Sequence, residues 1–189
     1  MDVSILIGDI ADARTDAVCT STNPRLSLMM GTGASVRGSG GFQILRECEA
    51  IVAAAGGSLP VASAHVTTAG NVARIAIHCV ASDDHHRSSE VVVRDCTAAA
   101  LTRAAAAGCS SVAMPVFATG HARVPFASAV RAMSEALRDG PAIERVVIVV
   151  TSEERAREAR PILETTLARK VPVEQGANAD EPGSFWSSF

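Results

Sequence analysis

Apolar residues along this 189-residue chain fall into short, β-branched runs that alternate with stretches of helical spacing. Residues 3–7 and 17–21 are runs of the first kind, and each empties into a turn, Gly8-Asp9 after one and Asn23-Pro24 after the other. In residues 42–55 the positions Ile44, Leu45, Cys48, Ile51 and Val52 share one helical face, and Gly56-Gly57 stops the helix. Between these segments Gly31-Thr32-Gly33 leads through Gly38, Gly40 and Gly41, which predicts a loop. Residues 61–68 and 74–80 predict two further strands, separated by Ala69-Gly70-Asn71. Residues 88–107 predict an alanine-rich helix ended by Gly108, and residues 110–117 a strand that runs out into Ala118-Thr119-Gly120. A helix over 125–138 with proline in its first turn and a nearly all-apolar strand over 145–150 follow. A last helix over 152–170 carries Ser152 as its cap and Glu153 and Glu154 in its first turn.

Strands alternating with helices, several of the strands apolar throughout, predict an α/β sheet covered by helices on both faces. Ligands of such sheets bind at the carboxyl ends of the strands. No G-x-G-x-x-G follows the first strand, which argues against a doubly wound dinucleotide-binding domain. From Val171 the pattern fails, and the expected organisation is one domain over residues 1–170 and a disordered tail over 171–189. The tail ends in Ser184-Phe185-Trp186-Ser187-Ser188-Phe189, an apolar end on a polar tether that is suited to docking in a partner's groove or in one of its own domain.

Composition narrows the function classes. Hydrophobic residues make up 48% of the chain and charged ones 20%, which excludes disorder as the main state. No apolar run approaches the length of a membrane span, and Met1-Asp2-Val3 is not the start of a signal peptide, so a soluble cytoplasmic protein is expected. The net charge is −3 with both signs dispersed, which disfavours sequence-specific nucleic-acid binding. The five cysteines form no C-x-x-C pair and are expected as reduced core thiols. Before the tail, only Phe42, Phe117 and Phe126 are aromatic and able to stack on a planar ligand.

Two loops carry the candidate chemistry, residues 23–33 and residues 118–125, each placed between a strand and a helix. Glycine there lets backbone N–H groups face a phosphate, and the helix that follows adds a favourable field. Glycine is also what any tight turn needs, so the two loops alone leave both readings open. Asp83-Asp84-His85-His86 contains metal-ligand types, but adjacent residues in an extended loop rarely face one ion, and the run predicts a solvated connection. No metal and no cofactor are expected. His78, inside a strand, is expected as a satisfied core histidine rather than a general base.

The ordered set Gly8-Asp9-Ile10, Asp16-Ala17-Val18, Thr22-Asn23-Pro24, Gly31 and Ala34-Ser35-Val36-Arg37 resembles the macrodomain family of ADP-ribose-binding modules, bacterial type. The likeness continues through Ile75-Ala76-Ile77-His78-Cys79-Val80, Met114-Pro115, Ala118-Thr119-Gly120 and Val149-Val150, and spans residues 3–169. The resemblance implies a three-layer α/β/α sandwich with a mixed central sheet. It further implies that Asp9 accepts from the adenine amino group with Ile10 alongside, and that Asn23 contacts the distal ribose. The backbones of Gly31, Thr32, Gly33, Ala34 and Ser35 and of Thr119, Gly120, His121, Ala122 and Arg123 would wrap the diphosphate. The implied partner is ADP-ribose, free or attached to a macromolecule.

Departures from the family pattern bear on catalysis. Leu28-Met29-Met30 stands where hydrolytic macrodomains carry a glycine run, and this predicts a narrower or differently shaped distal pocket with the two methionines crowding the approach. Gly33 stands where bacterial hydrolases place the aspartate that activates water. Arg123 replaces a glycine and is expected to turn inward to the diphosphate, Val124 replaces an aromatic, and Thr151 occupies the position that often stacks on adenine. Binding is the expected function. The alternative is a mono-ADP-ribosyl hydrolase or O-acetyl-ADP-ribose deacetylase that uses Asn23 as its catalytic residue.

Overall fold

The protein is described here by a computed structural model covering residues 1–141 and 143–176. Its strands are β1 (Asp2–Ile7), β2 (Ala17–Thr22), β3 (Ala64–Thr68), β4 (Ile75–Val80), β5 (Ser111–Pro115), β6 (Arg145–Val150) and β7 (Val173–Gln175). The helices are α1 (Gly31–Gly40), α2 (Gln43–Ala54), α3 (Glu90–Ala106), α4 (Phe126–Asp139) and α5 (Glu153–Leu167). They pair as one sheet in the order β3-β4-β2-β5-β6-β1-β7, parallel throughout except for β3, which runs antiparallel to β4. The sheet is mixed, as the family resemblance implies.

Strand alternation sorts the core into two layers. Val3, Ile5 and Ile7 of β1, Cys19 of β2, Ile77 of β4 and Val146 and Ile148 of β6 pack beneath Leu101 of α3, Met133 of α4 and Leu163 of α5. Leu6, Val18, Ala76, Ala113 and Val147 point the other way, against Val36 of α1 and Ile44 and Cys48 of α2. All five cysteines are buried and free. Among the described residues no helix is long and apolar enough to cross a membrane.

The chain departs from the hydropathy pattern at two places. Residues 31–40 form a helix, not the loop that four glycines predict, because tertiary packing overrides propensity. Val36 is fully buried, and Gly40 lies against the β3–β4 turn so closely that a Cβ on it would meet the Ala69 carbonyl at 2.6 Å. Residues 171–176, assigned to the disordered tail by their polarity, stay on the sheet. Val171 is buried, β7 pairs with Ile5, Leu6 and Ile7, and the Gly176 N–H donates to the Ile7 carbonyl at 2.8 Å. Main-chain pairing needs no apolar side chain, and the β7 side chains are all exposed. The aromatic end Ser184–Phe189 lies outside the described residues.

His78 lies in the sheet interior beneath the α1–α2 layer, fully buried as a core residue, with Thr20 and Thr67 on either side. The Thr67 hydroxyl donates to the Thr68 carbonyl, so it accepts from His78 Nε2–H, and Nδ1 in turn accepts from the Thr20 hydroxyl, each at 2.8 Å. The ring is therefore neutral. Burial, with a contribution from His65 that Glu47 partly offsets, pushes its pKa down to about 4 from an ordinary 6.5. The unfolded chain thus binds the extra proton first, so the stabilisation is complete above pH 6.5 and declines as pH falls from 6.5 towards 4. The decline expected from this one group is about 3 kcal/mol. Denaturant titrations at pH 7 and pH 4.5 should show this slope, and His78→Gln should flatten it, leaving the smaller contributions of His65, whose pKa burial lowers, and of Glu47, whose carboxylate is held low, against the cost of burial, by its bonds from Thr68 and Gln43.

Candidate functional site

β2 and β5 part company toward their carboxyl ends, the kind of place at which α/β sheets open a crevice for a ligand. They pair only at Ala17↔Val112 and Val18↔Ala113, while β2 stays on β4 through Thr22 and β5 stays on β6 through Pro115. Above those two pairs the strands diverge, and their carboxyl ends deliver the two predicted loops to opposite sides of the opening. Ser21 joins the sides: its backbone N–H donates to Thr32 Oγ1 of α1, and its hydroxyl accepts from the Ala118 N–H of the second loop, each at 3.3 Å. Sequence reasoning missed Ser21, since nothing in its neighbourhood marks it until the strand divergence is known.

On the first side, Asn23 Oδ1 accepts from the N–H groups of Arg25 at 3.1 Å and Ser27 at 3.2 Å, closing an Asx turn that keeps the side-chain NH2 as donor. Leu28 is buried, and it is the residue that fills the space beneath the loop. Met29 and Met30, expected to crowd the approach, are instead 63% and 58% exposed, and Met29 lies against the Arg37 guanidinium. The predicted Gly31, Thr32, Gly33, Ala34 and Ser35 backbone is the first turn of α1. Its N-cap, Met30, makes no side-chain hydrogen bond, so the first-turn N–H groups are not capped by a side chain. Gly33 is buried, and a Cβ there would sit 3.0 Å from Leu28 Cα.

The second loop is closed by its own backbone. The Val124 N–H donates to the Ala118 carbonyl and the Arg123 N–H to the Gly120 carbonyl, each at 3.1 Å, and Thr119 Oγ1 donates to the Val116 carbonyl at 2.9 Å. Ala122 packs partly on the core, whereas Gly120, His121 and Arg123 are exposed. Arg123 is exposed, so its side chain is not buried beneath the loop. Its φ is +53°, a left-handed value that the glycine it replaces would hold without strain. Here too the helix that follows, α4, starts from Pro125 without a side-chain cap, while Ser89 caps α3 and Ser152 caps α5.

Asp9 lies at the end of β1. Its Oδ1 accepts from the Ala11 N–H at 2.8 Å and from the Ser35 hydroxyl, so both hydrogen bonds fall on one oxygen and Oδ2 carries neither. Ile10 is buried in the α1–α2 layer with Leu6 and Val18; its side chain belongs to the core, and only its backbone is left for a ligand. Thr151 is exposed at the end of β6. Of the aromatics, Phe117 is buried, Phe42 is 80% exposed at the start of α2, and the Phe126 ring carries the Arg155 guanidinium 4.4 Å above its centroid. Asp16 belongs to the other end of the sheet. The Ser110 hydroxyl and N–H, with the Ser111 N–H, hold its carboxyl down to about 2 against the cost of burial. Among the described residues no group of three or more His, Cys, Asp and Glu side chains is placed to hold a metal ion.

The family model of the macro domain matches residues 19–133. An uncharacterized protein of Aquifex aeolicus is 33% identical over 82% of this chain and 93% of its own length. An O-acetyl-ADP-ribose deacetylase of Enterobacter sp. is 29% identical over 82% of this chain and 89% of its own. A variant of the Oceanobacillus iheyensis macrodomain, solved with ADP-ribose, superposes with a TM-score of 0.79 at 20% identity and covers 87% of this chain and 93% of its own. The chain belongs to the macro domain family.

The glycines of α1 separate packing from propensity. Gly33→Ala, which must push Leu28 aside, should destabilise the domain by about 1–2 kcal/mol. Gly38→Ala, with no atom within 4 Å of its Cβ, should stabilise it by about 0.5–1 kcal/mol through helix propensity. Thermal melts of the two variants should therefore shift in opposite directions.

Proposed function

We propose that this domain binds ADP-ribose, free or attached to a macromolecule, in the crevice between β2 and β5. The observation that carries this reading is the pairing at that crevice of two helix starts, α1 after β2 and α4 after β5, neither closed by a side-chain cap. Uncapped first turns offer N–H donors and a positive field to a phosphate, and two of them facing one opening suit a diphosphate. Asp9 Oδ2 takes the adenine amino group at one end, and the Asn23 NH2 takes the distal ribose at the other. The backbones of Gly31 to Ser35 and of Thr119 to Arg123 hold the phosphates between them. Arg123 stands at the mouth, exposed and without an ion-pair partner among the described residues, where it can close on the diphosphate by a charge-assisted bond. Five free thiols suit a reducing compartment, which supports a cytoplasmic setting.

Hydrolysis of a mono-ADP-ribosyl or acetyl group is the second reading, supported by the Asn23 NH2 at the crevice and by the relative named as a deacetylase. Gly33 stands against it. It carries no carboxylate to activate water, a side chain there would have to push Leu28 aside, and the Asp9 carboxylate is committed at the adenine end.

Titration calorimetry with ADP-ribose is the direct test, and absence of heat at millimolar ligand with folded protein would remove the proposal. Asp9→Ala should weaken ADP-ribose by about tenfold while leaving ribose phosphate nearly unaffected, since it deletes only the base contact. Equal losses for the two ligands would contradict the assignment. Arg123→Gly should lower affinity and flatten its salt dependence, while raising thermal stability slightly by relieving the positive φ. Incubation with a mono-ADP-ribosylated acidic side chain should give no turnover, and turnover lost in Asn23→Ala would establish the enzymatic reading instead.

A further inference from the structure

A third loop, between β4 and α3, is built into the rim of the crevice, and neither the sheet topology nor its contacts leave it a passive connection. It begins where the Ala81 N–H donates to the Thr22 carbonyl at 2.9 Å, one residue before Asn23. Arg25 of the first loop reaches Asp84 at 3.4 Å, and His86 stands over His121 of the second loop with ring centroids 5.6 Å apart. The loop thus touches both walls of the crevice at once. Its shape is held from within. Asp83 Oδ1 accepts from the N–H groups of His85 and Arg87 at 2.9 and 2.8 Å, its Oδ2 accepts from Arg87 Nε at 2.7 Å, and its carbonyl accepts from the His86 N–H at 3.0 Å. These bonds set His86 at φ +57°, a strained left-handed conformation that a histidine holds only when its surroundings impose it.

Strand order says what this loop would meet. Along the carboxyl edge the sequence is β1, β6, β5, β2, β4, so Asp9 is at one end, Asn23 is near the other, and the third loop is the next element beyond Asn23. A ligand lying from Asp9 to Asn23 presents to this loop whatever is attached to its distal ribose. Within the rim Asp83 is paired with Arg87 and Asp84 with Arg25, and with Arg123 given to the diphosphate this leaves the exposed imidazoles of His85, His86 and His121 as donors. Such a set suits a carboxylate-bearing segment. A polynucleotide is disfavoured, because the chain carries 20 acidic against 17 basic residues and no basic stripe to neutralise successive phosphates.

We propose that His86, held against His121 by the Asp83-clamped loop, forms a subsite for the acidic peptide to which ADP-ribose is attached. This rests on the assignment of the crevice to ADP-ribose, and the test separates the two. Calorimetry on the full chain compares free ADP-ribose, a hydrolysis-resistant ADP-ribosylated peptide with Asp and Glu flanks, the same peptide with Ser and Ala flanks, and an ADP-ribosylated oligonucleotide. The acidic peptide should bind about fivefold tighter than free ADP-ribose, and His86→Gly should abolish that margin while leaving free ADP-ribose unchanged. Glycine accepts the left-handed φ, so the loop keeps its shape in the variant. An equal loss for free ligand and peptide, an unchanged margin, or a margin shared by the neutral peptide would overturn the subsite. A gain confined to the oligonucleotide would overturn the peptide assignment. If the wild-type chain binds neither free ADP-ribose nor any conjugate, the crevice assignment falls and the subsite falls with it.

Discussion

The early end of the β2–β5 ladder is the constraint on which the site depends. Had the two strands stayed paired beyond Val18 and Ala113, the backbone from Cys19 upward would face β5 and no crevice would exist. Their divergence leaves main-chain groups of β2 in need of partners, because a partly buried N–H without an acceptor is costly. Thr32 supplies the acceptor for the Ser21 N–H, and Ser21 in turn supplies an acceptor for Ala118. The bonds that repair the parted sheet are therefore the ones that fix the separation of the two loops. The width of the opening is set by the strands, and the side chains at its floor hold it there.

A second constraint follows from how closely α1 approaches its neighbours. Gly33 lies on Leu28, and Gly40 and Gly70 are so near one another that a Cβ on Gly70 would meet the Gly40 carbonyl at 2.0 Å. Four glycines in ten residues make a poor helix by intrinsic propensity, yet they let the backbone come within reach of the β3–β4 turn and of the loop that precedes it. The same closeness decides the chemistry. Any side chain at Gly33 would have to displace Leu28, so the departure there is tied to the way the helix is seated. It is more than a simple loss of one functional group.

Elements whose stability comes from buried apolar faces were legible in the sequence. β1, β2, β4 and β6 fall within one residue of the hydropathy runs, because a strand covered on both faces is mostly apolar, and its few polar side chains must find partners inside. The end of α3 at Gly108 and the start of α5 at Ser152 were legible because φ > 0 and side-chain capping are local demands. What stayed hidden was set by backbone-to-backbone contact. α1 carries four glycines in ten residues, which reads as a loop, and β7 is exposed on every side chain and held by main-chain pairing to β1. At the site, Asp9 and Asn23 stood out as turn-forming polar residues after strands, and both do hold turns. The Asp83–His86 run, by contrast, looked like a solvated connection. Its contacts to Arg25 and His121 link residues about 35 to 60 positions apart, a spacing that no local pattern encodes.

The hydrogen bonds of the site form a chain with α1 at its centre. Ala11 and Ser35 both donate to Asp9 Oδ1, which orients the remaining oxygen without any contribution from a ligand. Ser35 is on the same first turns of α1 as Thr32, and Thr32 leads through Ser21 to Ala118 in the second loop. One short helix thus links Asp9 to the two loops that follow β2 and β5. Because its glycines give it little helical stability of its own, α1 keeps its place through these polar contacts and through the burial of Val36. A phosphate bound at its uncapped first turn would add to the same small balance, favouring the ordered helix by the free energy it gains from those N–H groups. A ligand at that turn would in this way also favour the existing placement of Asp9, since Ser35, which donates to its carboxylate, is carried by the same helix.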